Sequence, residues 1–519
     1  MKIIFTLAIL MMNFYVDAQI ETFNKRITVG CSNTVLTGLE VTDSCYYMTG
    51  SARNDSCIFT SLFMKRDLKG DLISYKISPD TDVSYQIWQP SLRTDIDGNL
   101  LVTANAIDSN TMRTALIKYT PEGNVLWRRL YEEQAVNTDV LRNEEMIIAP
   151  DSSYILVGQT NSLPGHSFQI MNVGRDGNII WSTNTDCQWN YCVNHSVWPL
   201  EDGFVVGYSN SDANLISIDY TQLTVLMKYD YQGNELWTWN NDSSIQLLGA
   251  NHLIQTKDKG WVVATALGEE RLNSDGVSSR LASDGYVFKL DSNRNMLWQT
   301  PLRAHTSSPN GRTIRLIELE DSSLMTFGMT ADTLRDATNT LIGQYSTLVA
   351  KLSSSGDSLW ARKYHYFQQS QAYHEVFDTE RTADGGFLIC GQAEGIGEGV
   401  YQQGWLLKLD EHGCLVPGCH IPDTITSILP RGIRPQIALN LYPNPVTDYL
   451  NVLYRNEKIG KQLTFRIIGE QGQVIKTYTT SDISDKTYVF PIWKLLSGWY
   501  VLEIRQDGKS IASETFIKK

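Results

Sequence analysis

A ten-residue phrase that returns along most of this chain limits what it can fold into. Lys351–Trp360 reads KLSSSGDSLW. Lys118–Trp127 (KYTPEGNVLW), Lys228–Trp237 (KYDYQGNELW) and Lys289–Trp298 (KLDSNRNMLW) are clear copies. Asn172–Trp181 (NVGRDGNIIW) keeps the Gly and the Trp but not the Lys, and Met64–Tyr75 and Lys408–Pro417 are degenerate end copies. The phrase reads as a strand ending in Lys and an apolar residue, a tight turn closed by Gly, and a second strand carrying Trp. Its turn positions are Gly70, Gly123, Gly177, Gly233, Arg294, Gly356 and Gly413, spaced 53 to 62 residues apart. A near-constant period of short strands predicts a propeller or a solenoid. Arg294 stands where Gly is expected, which predicts a different backbone conformation or strain at that turn.

Each unit also has an upstream half, a polar turn followed by a short β-rich run. Thr382–Gln392 (TADGGFLICGQ) is the clearest, and Leu200–Ser209, Pro150–Gln159, Lys257–Leu267, Asp95–Ala104, Glu320–Met329 and Asp43–Ser51 repeat it. The two halves supply four strands, A to D, so the expected fold is all-β, a seven-bladed β-propeller. A tandem array of β-sandwiches is the competing architecture. It is disfavoured because no unit has linker-like ends.

The pattern L-D-x-x-G-x-x-x-W resembles the blade motif of bacterial quinoprotein-type and related secreted propellers. That resemblance implies that the Trp strand is outermost and that its ring packs between neighbouring blades, as core and not as a ligand box. It covers only the structural motif. No matching cofactor constellation is present, so no cofactor is expected.

The ends of the chain read as addresses. Met1–Ala18 (MKIIFTLAILMMNFYVDA) has one Lys, an apolar run and small residues before Gln19, the pattern of a secretory signal peptide. The propeller is assigned to residues 19–420. Residues 421–437 carry three Pro without a repeat match and read as a linker. Residues 438–519 change pattern into a small β-sandwich (Ig-like) of about seven short strands. This tail resembles the type A C-terminal sorting domain of the type IX secretion system of Bacteroidota. The resemblance rests on Tyr442-Pro443-Asn444-Pro445, the Gly472 turn, Gly498-Trp499-Tyr500-Val501 and the terminal Phe516-Ile517-Lys518-Lys519. It implies the secretion machinery as a partner, passage through the periplasm, and a cell-surface or extracellular destination. An ordinary carbohydrate-binding or fibronectin-like sandwich is the alternative for the tail.

Net charge is −13, with no cluster of Lys and Arg. That argues against nucleic acid and against an anionic membrane surface as partners. No segment after the leader is long and apolar enough to span a membrane. The eight Cys of an exported chain suggest disulfides. Cys187–Cys192 and Cys414–Cys419 are spaced for local bridges, while Cys31, Cys45, Cys57 and Cys390 cannot be paired from the sequence; for Cys390, on strand B of the last unit, a simple buried thiol is the alternative to a bridge. The C-x2-C spacing of a zinc site is absent. Asp95-x-Asp97-Gly98 faintly resembles a calcium loop but lacks downstream ligands and coincides with a repeat turn.

No protease, esterase or phosphate-loop motif occurs. One constellation emerges when the units are aligned on the first residue of strand B. Nine positions upstream, on strand A, stand Thr37, Ser91, Glu145, His195, His252, Arg315 and Asp378. An innermost strand A would place this polar set around the central channel, where Glu145, His195, His252, Arg315 and Asp378 are the candidate binding residues. The competing reading is a set of merely solvated positions. Acid, base and cation together suit a polyol or carboxylate ligand. The paired-carboxylate signature of a glycosidase is absent. The expected function is an exported propeller binding glycan or protein at the cell surface. A secreted polysaccharide- or peptide-degrading enzyme with its site in the channel is the alternative, and a structural surface component is a third.

Overall fold

A computed structural model describes residues 21–519, except 89–90, 109–111, 132–140, 163–164, 187–190, 212–221, 242–250, 273–277, 303–311, 336–340, 368–371, 396–399, 421–436, 457–461, 470–472, 481–485 and 507–508. The leader, the Cys187–Cys192 pair and the linker therefore lie wholly or largely outside the described residues. The chain divides into two compact units, Met1–Pro422 and Asp423–Lys519.

The first unit contains seven antiparallel sheets, one per repeat. Blade 3 is representative, with strands A to D at Leu141–Ile148, Tyr154–Ser162, Gly165–Val173 and Ile179–Asp186. In blade 2, strand A is split into Ser84–Gln86 and Arg93–Thr94, both paired to strand B. Blade 7 takes only three strands from the last repeat. Phe23–Ile27, from the start of the described chain, pairs with Val400–Leu409 and becomes its outermost strand. Strand A of blade 7 lies beside strand A of blade 1, so the ring closes. The unit is a seven-bladed β-propeller. The described side chains of strands B and C are mostly buried, as expected for strands covered on both faces.

The repeated phrase has three physical causes. The first is the turn. Among the described residues, eleven of the A–B and C–D connections, and the turn after strand C of blade 7, share one arrangement. In it the first residue's N–H donates to the carbonyl four residues on, and the fourth residue's N–H donates back to the first. The fourth residue has positive φ each time: Gly at most, but Ser152, Lys259, Arg294 and Ser322 in four turns. Arg294, at φ 69°, therefore adopts the same left-handed conformation as the glycines rather than a different turn.

The second cause is the joint between blades. A Cβ on Gly233, Gly356 or Gly413 would lie 3.0, 2.5 or 2.5 Å from the ring of Trp181, Trp298 or Trp360 of the preceding blade. The Trp side chains are half-buried caps on the next blade's turn, and two of them donate indole N–H bonds to it, Trp181 to Tyr231 O and Trp298 to Ser354 O, each 3.1 Å. Where Arg294 replaces Gly, its guanidinium lies over the Trp237 ring, 4.6 Å from the centroid.

The third cause is the Lys. Lys118, Lys228, Lys289, Lys351 and Lys408 each pair with an acid in the A–B turn of the same blade: Asp95, Asp202, Asp258, Asp321 and Asp384. Asp95 thus serves as a turn cap and ion-pair partner. Blade 3 has Asn172 at this place, and its Oδ1 is buried without a hydrogen-bond partner.

Disulfides join Cys31–Cys57 and Cys414–Cys419, while Cys45 and Cys390 are buried thiols. Asp410, Cys414 and His420 lie close together, but Cys414 is committed to its disulfide and cannot ligate as a thiolate.

The second unit has a three-stranded sheet and a four-stranded sheet, seven strands in all among the described residues. Leu450, Val452, Phe465, Ile467, Leu502, Ile504 and Phe516 alternate inward along their strands and form its core.

Candidate functional site

Strand A is the inner edge of each blade, and an edge strand leaves N–H groups that need partners. The register fixes which side chains supply them. The ring position is the residue opposite the fourth aligned residue of strand B. It is Gly38 opposite Thr49, Glu145 opposite Val157, Ser196 opposite Gly207, His252 opposite Ala264, Arg315 opposite Phe327 and Asp378 opposite Cys390. Ser91 takes the place in blade 2, where its hydroxyl donates to Thr103 O and accepts from Thr103 N.

Five of the seven sequence-derived positions are therefore the ring residues, and two are displaced by one. Gly38 replaces Thr37, and Ser196 replaces His195. The cause is local: the A–B turns of blades 1 and 4 are one residue shorter than the others. Counting back nine residues then overshoots onto the bulge. The His195 side chain lies outside the described residues. Thr37 points its hydroxyl to Ile87 O at 3.4 Å and is buried.

The ring side chains interlock the blades. Asp378 Oδ2 accepts from Leu39 N at 3.0 Å, and Glu145 Oε2 accepts from Val197 N at 2.7 Å. Ser196 Oγ accepts from Leu253 N at 3.2 Å, and His252 Nδ1 from Leu316 N at 3.3 Å. In all four cases the donor is the residue just after the ring position of the next blade. Arg315 extends the rule by donating from Nε to Asp378 Oδ1 at 3.0 Å. Across the ring its Nη1 lies 3.7 Å from Glu145 Oε1, and Arg93 Nη2 lies at the same distance. One arginine thus holds two carboxylates that belong to blades 3 and 7.

Burial sets the electrostatics. Glu145, Arg315 and Asp378 are 2, 4 and 5% exposed. Desolvation pushes the Glu145 carboxyl above its usual range, and Arg315 and Arg93 pull it back. Burial, then the nearby positive charge of Arg315 and Arg93, holds His252 well below the ordinary imidazole value, so it is a neutral acceptor.

A second layer lies two residues further along strand A: Glu40, Arg93 and Glu380 on blades 1, 2 and 7. Their counterparts on blades 3 to 6 are Ile147, Trp198, Ile254 and Ile317. Burial, reinforced by Asp378, raises Glu380 to about 8, and burial also raises Glu40. This layer was missed from the sequence, although the period-two rule applied to the ring would have found it.

In the second unit the Tyr442–Pro445 region is a clasp on the last strand. Tyr442–Pro443 and Asn444–Pro445 are cis peptides. The Asn444 side chain donates to Thr515 O at 3.0 Å and accepts from Ile517 N at 2.8 Å. Val446 N donates to Ile517 O at 2.8 Å. Tyr500 stacks on Phe516, with centroids 5.5 Å apart, and donates to Leu496 O at 2.8 Å. Gly498, at φ 159°, is extended backbone.

Residues 440–519 match the family described as the secretion system C-terminal sorting domain. The tail is a sorting domain. It implies a secretion machine as partner and export to the cell surface or the extracellular space. The motif residues Tyr442, Pro443, Asn444, Pro445, Gly498 and Tyr500 all fall within this sorting domain. No helix among the described residues is long and apolar enough to cross a membrane. No curated protein matches the chain. Among solved structures, Drosophila Semaphorin 2a is similar at 8% identity and TM-score 0.43, covering 96% of this chain and 98% of that one. Polysaccharide lyase Uly1 gives 8% and 0.43, covering 77% and 94%. A Penicillium chrysogenum alpha-L-arabinanase complexed with arabinobiose gives 10% and 0.39, covering 62% and 93%. Likenesses this distant carry no argument about activity.

Proposed function

We propose that this protein is an exported β-propeller that binds a glycan or protein at the cell surface or in the medium. The observation that carries this reading is the commitment of the ring. Glu145, Ser196, His252, Arg315 and Asp378 are bonded between blades, which suits a rigid scaffold better than a reacting centre. The A–B and C–D turns are short and alike, so variation in length falls at the opposite ends of the strands. There the B–C hairpins of blades 5 and 6 are the longest in the ring, Trp261–Leu272 with Ser278–Leu290 and Leu324–Arg335 with Leu341–Leu352. Neighbouring hairpins of this kind make a recognition edge. The test is binding of the intact mature protein to glycan and extracellular-protein arrays. Silence on both would count against the reading.

One observation favours the enzymatic alternative. A carboxyl raised to about 8, as Glu380 is, stays largely protonated at neutral pH and can donate a proton. Turnover of any polysaccharide or peptide that Glu380→Gln abolishes would establish it.

A further inference from the structure

The sorting domain carries three large apolar side chains, close in sequence, that remain more than half exposed. Along Ile492–Tyr500, the turn that leads into the strand Gly498–Gln506 and the first residues of that strand, the side chains divide by exposure. Ile492 is 1% exposed, and Leu495 and Tyr500 pack against the core. Trp493, Leu496 and Trp499 are 55, 83 and 57% exposed. Single exposed apolar residues are ordinary, but three large ones within seven residues, at a turn and the start of the strand it leads into, are an unusual concentration.

The segment is held in place. Ile492 N donates to Asp448 O at 2.7 Å, Leu495 N to Ile492 O at 2.9 Å, and the Tyr500 hydroxyl to Leu496 O at 2.8 Å. A motif residue of the sorting domain therefore sets the position of the segment that presents these three side chains. Lys494 lies beside it, its Nζ 4.7 Å from the Trp493 ring centroid. Residues 440–519 contain eleven Lys and Arg against eight Asp and Glu, in a chain whose net charge is −13. The sorting domain is thus basic and the rest of the chain strongly acidic.

We propose that Trp493, Leu496 and Trp499 are the surface by which the secretion machinery grips the sorting domain. The partner's site is an apolar groove with an acidic rim, matching two exposed indoles and the lysine beside them. Exposed tryptophans at ordered positions are the side chains that carry most binding energy when a pocket closes over them. The inference rests on the sorting reading of the tail, so the test separates the two.

In a host with a type IX system, the secreted fraction is measured for four full-length or truncated proteins. They are the intact chain, a chain lacking 440–519, the triple variant Trp493→Ser, Leu496→Ser, Trp499→Ser, and the control Tyr449→Thr, Val489→Thr. The control changes exposed residues of the other sheet, 56 and 55% exposed. The triple variant should lose roughly tenfold or more of its secretion, with the protein accumulating inside the cell. The control should be secreted like the intact chain. Thermal unfolding of the purified proteins checks that the triple variant keeps a folded tail. If it fails to fold, Trp499→Tyr and Leu496→Gln are read instead, with the same expectation of a several-fold loss. Normal secretion of a folded triple variant, while the truncated chain stays inside, overturns this proposal alone. Normal secretion of the truncated chain overturns the sorting reading itself.

Discussion

The inner ring and the outer joint of the propeller solve one problem with opposite materials. Both tie a blade to its neighbour. At the outer joint the contact is a Trp ring on a glycine turn, such as Trp298 on Gly356. At the inner ring it is a buried polar side chain on the next blade's N–H, such as Asp378 on Leu39. The apolar joint always sets an aromatic ring on the turn, Trp at five blades and Phe23 or Phe63 at Gly70 and Gly123. The polar ring is nearly dry, and its residue changes from blade to blade. A buried hydrogen-bonding site tolerates many acceptors provided each is satisfied, whereas a shape contact tolerates few changes.

The sharpest break should come at the ring. Arg315→Met leaves Glu145 and Asp378 buried without their shared cation, and about 3–5 kcal/mol of stability should be lost in urea unfolding. A midpoint unchanged from the parent would mean that the two acids do not depend on that arginine.

The joint should break next. In Gly356→Ala the methyl group meets Trp298 Cδ2 at 2.5 Å and the backbone keeps φ +88°. A cost of about 2–3 kcal/mol is expected from the two effects together. Gly98 has φ +78° with nothing within 4 Å, so Gly98→Ala should cost only about 1 kcal/mol. Equal costs would show that the Trp contact is unimportant.

Proton linkage sharpens the contrast between buried polar groups. Glu380 is raised to about 8 when folded, so its contribution is full below the ordinary carboxylate value and is lost as pH rises through about 8. His374 behaves oppositely. Its Nε2 accepts from Phe367 N at 3.0 Å, its Nδ1 faces Tyr345 O at 2.9 Å, and burial lowers it to about 4. The stability it adds is present above its ordinary value of 6.5 and is lost as pH falls through about 4. Melting temperature against pH should therefore flatten on the alkaline side in Glu380→Gln and on the acid side in His374→Gln. An unchanged alkaline limb in the first variant would remove Glu380 from the account.

The smallest effect is expected at the irregular joint. Arg294→Gly relieves a left-handed backbone but removes the cation over Trp237, two terms of about 1 kcal/mol each that should nearly cancel. Arg294→Ala loses the cation without relieving the backbone and should cost about 1 kcal/mol. Differential scanning calorimetry resolves the pair if their midpoints separate in that order.

Much of this was readable because repetition makes local rules visible. Gly at the turns, Trp on the outer strand and alternating apolar runs each follow from short-range sterics or strand period. Arg294 was readable as a departure, and the strain alternative is the outcome, since its backbone stays left-handed; the placing of its side chain over the neighbouring ring was not readable. The role of the motif Lys was not legible, because its partner sits in the other turn of the blade, 23 residues away for Lys118 and Asp95 and 31 for Lys289 and Asp258. Cys31–Cys57 was equally hidden, since the spacing of two cysteines on different loops says nothing of whether those loops meet.

The sequence by itself determined the number of blades, the strand order within each and the sorting tail, since these depend on period, turn chemistry and a contiguous motif. Only the tertiary structure decided which side chains form the inner ring. A turn one residue shorter moves every side chain of strand A to the opposite face, so Ser196 and not His195 meets the next blade. It also decided that the ring's charges and the second-layer Arg93 are bound to one another, because Arg93, Glu145, Arg315 and Asp378 come from four repeats and meet only when the circle closes.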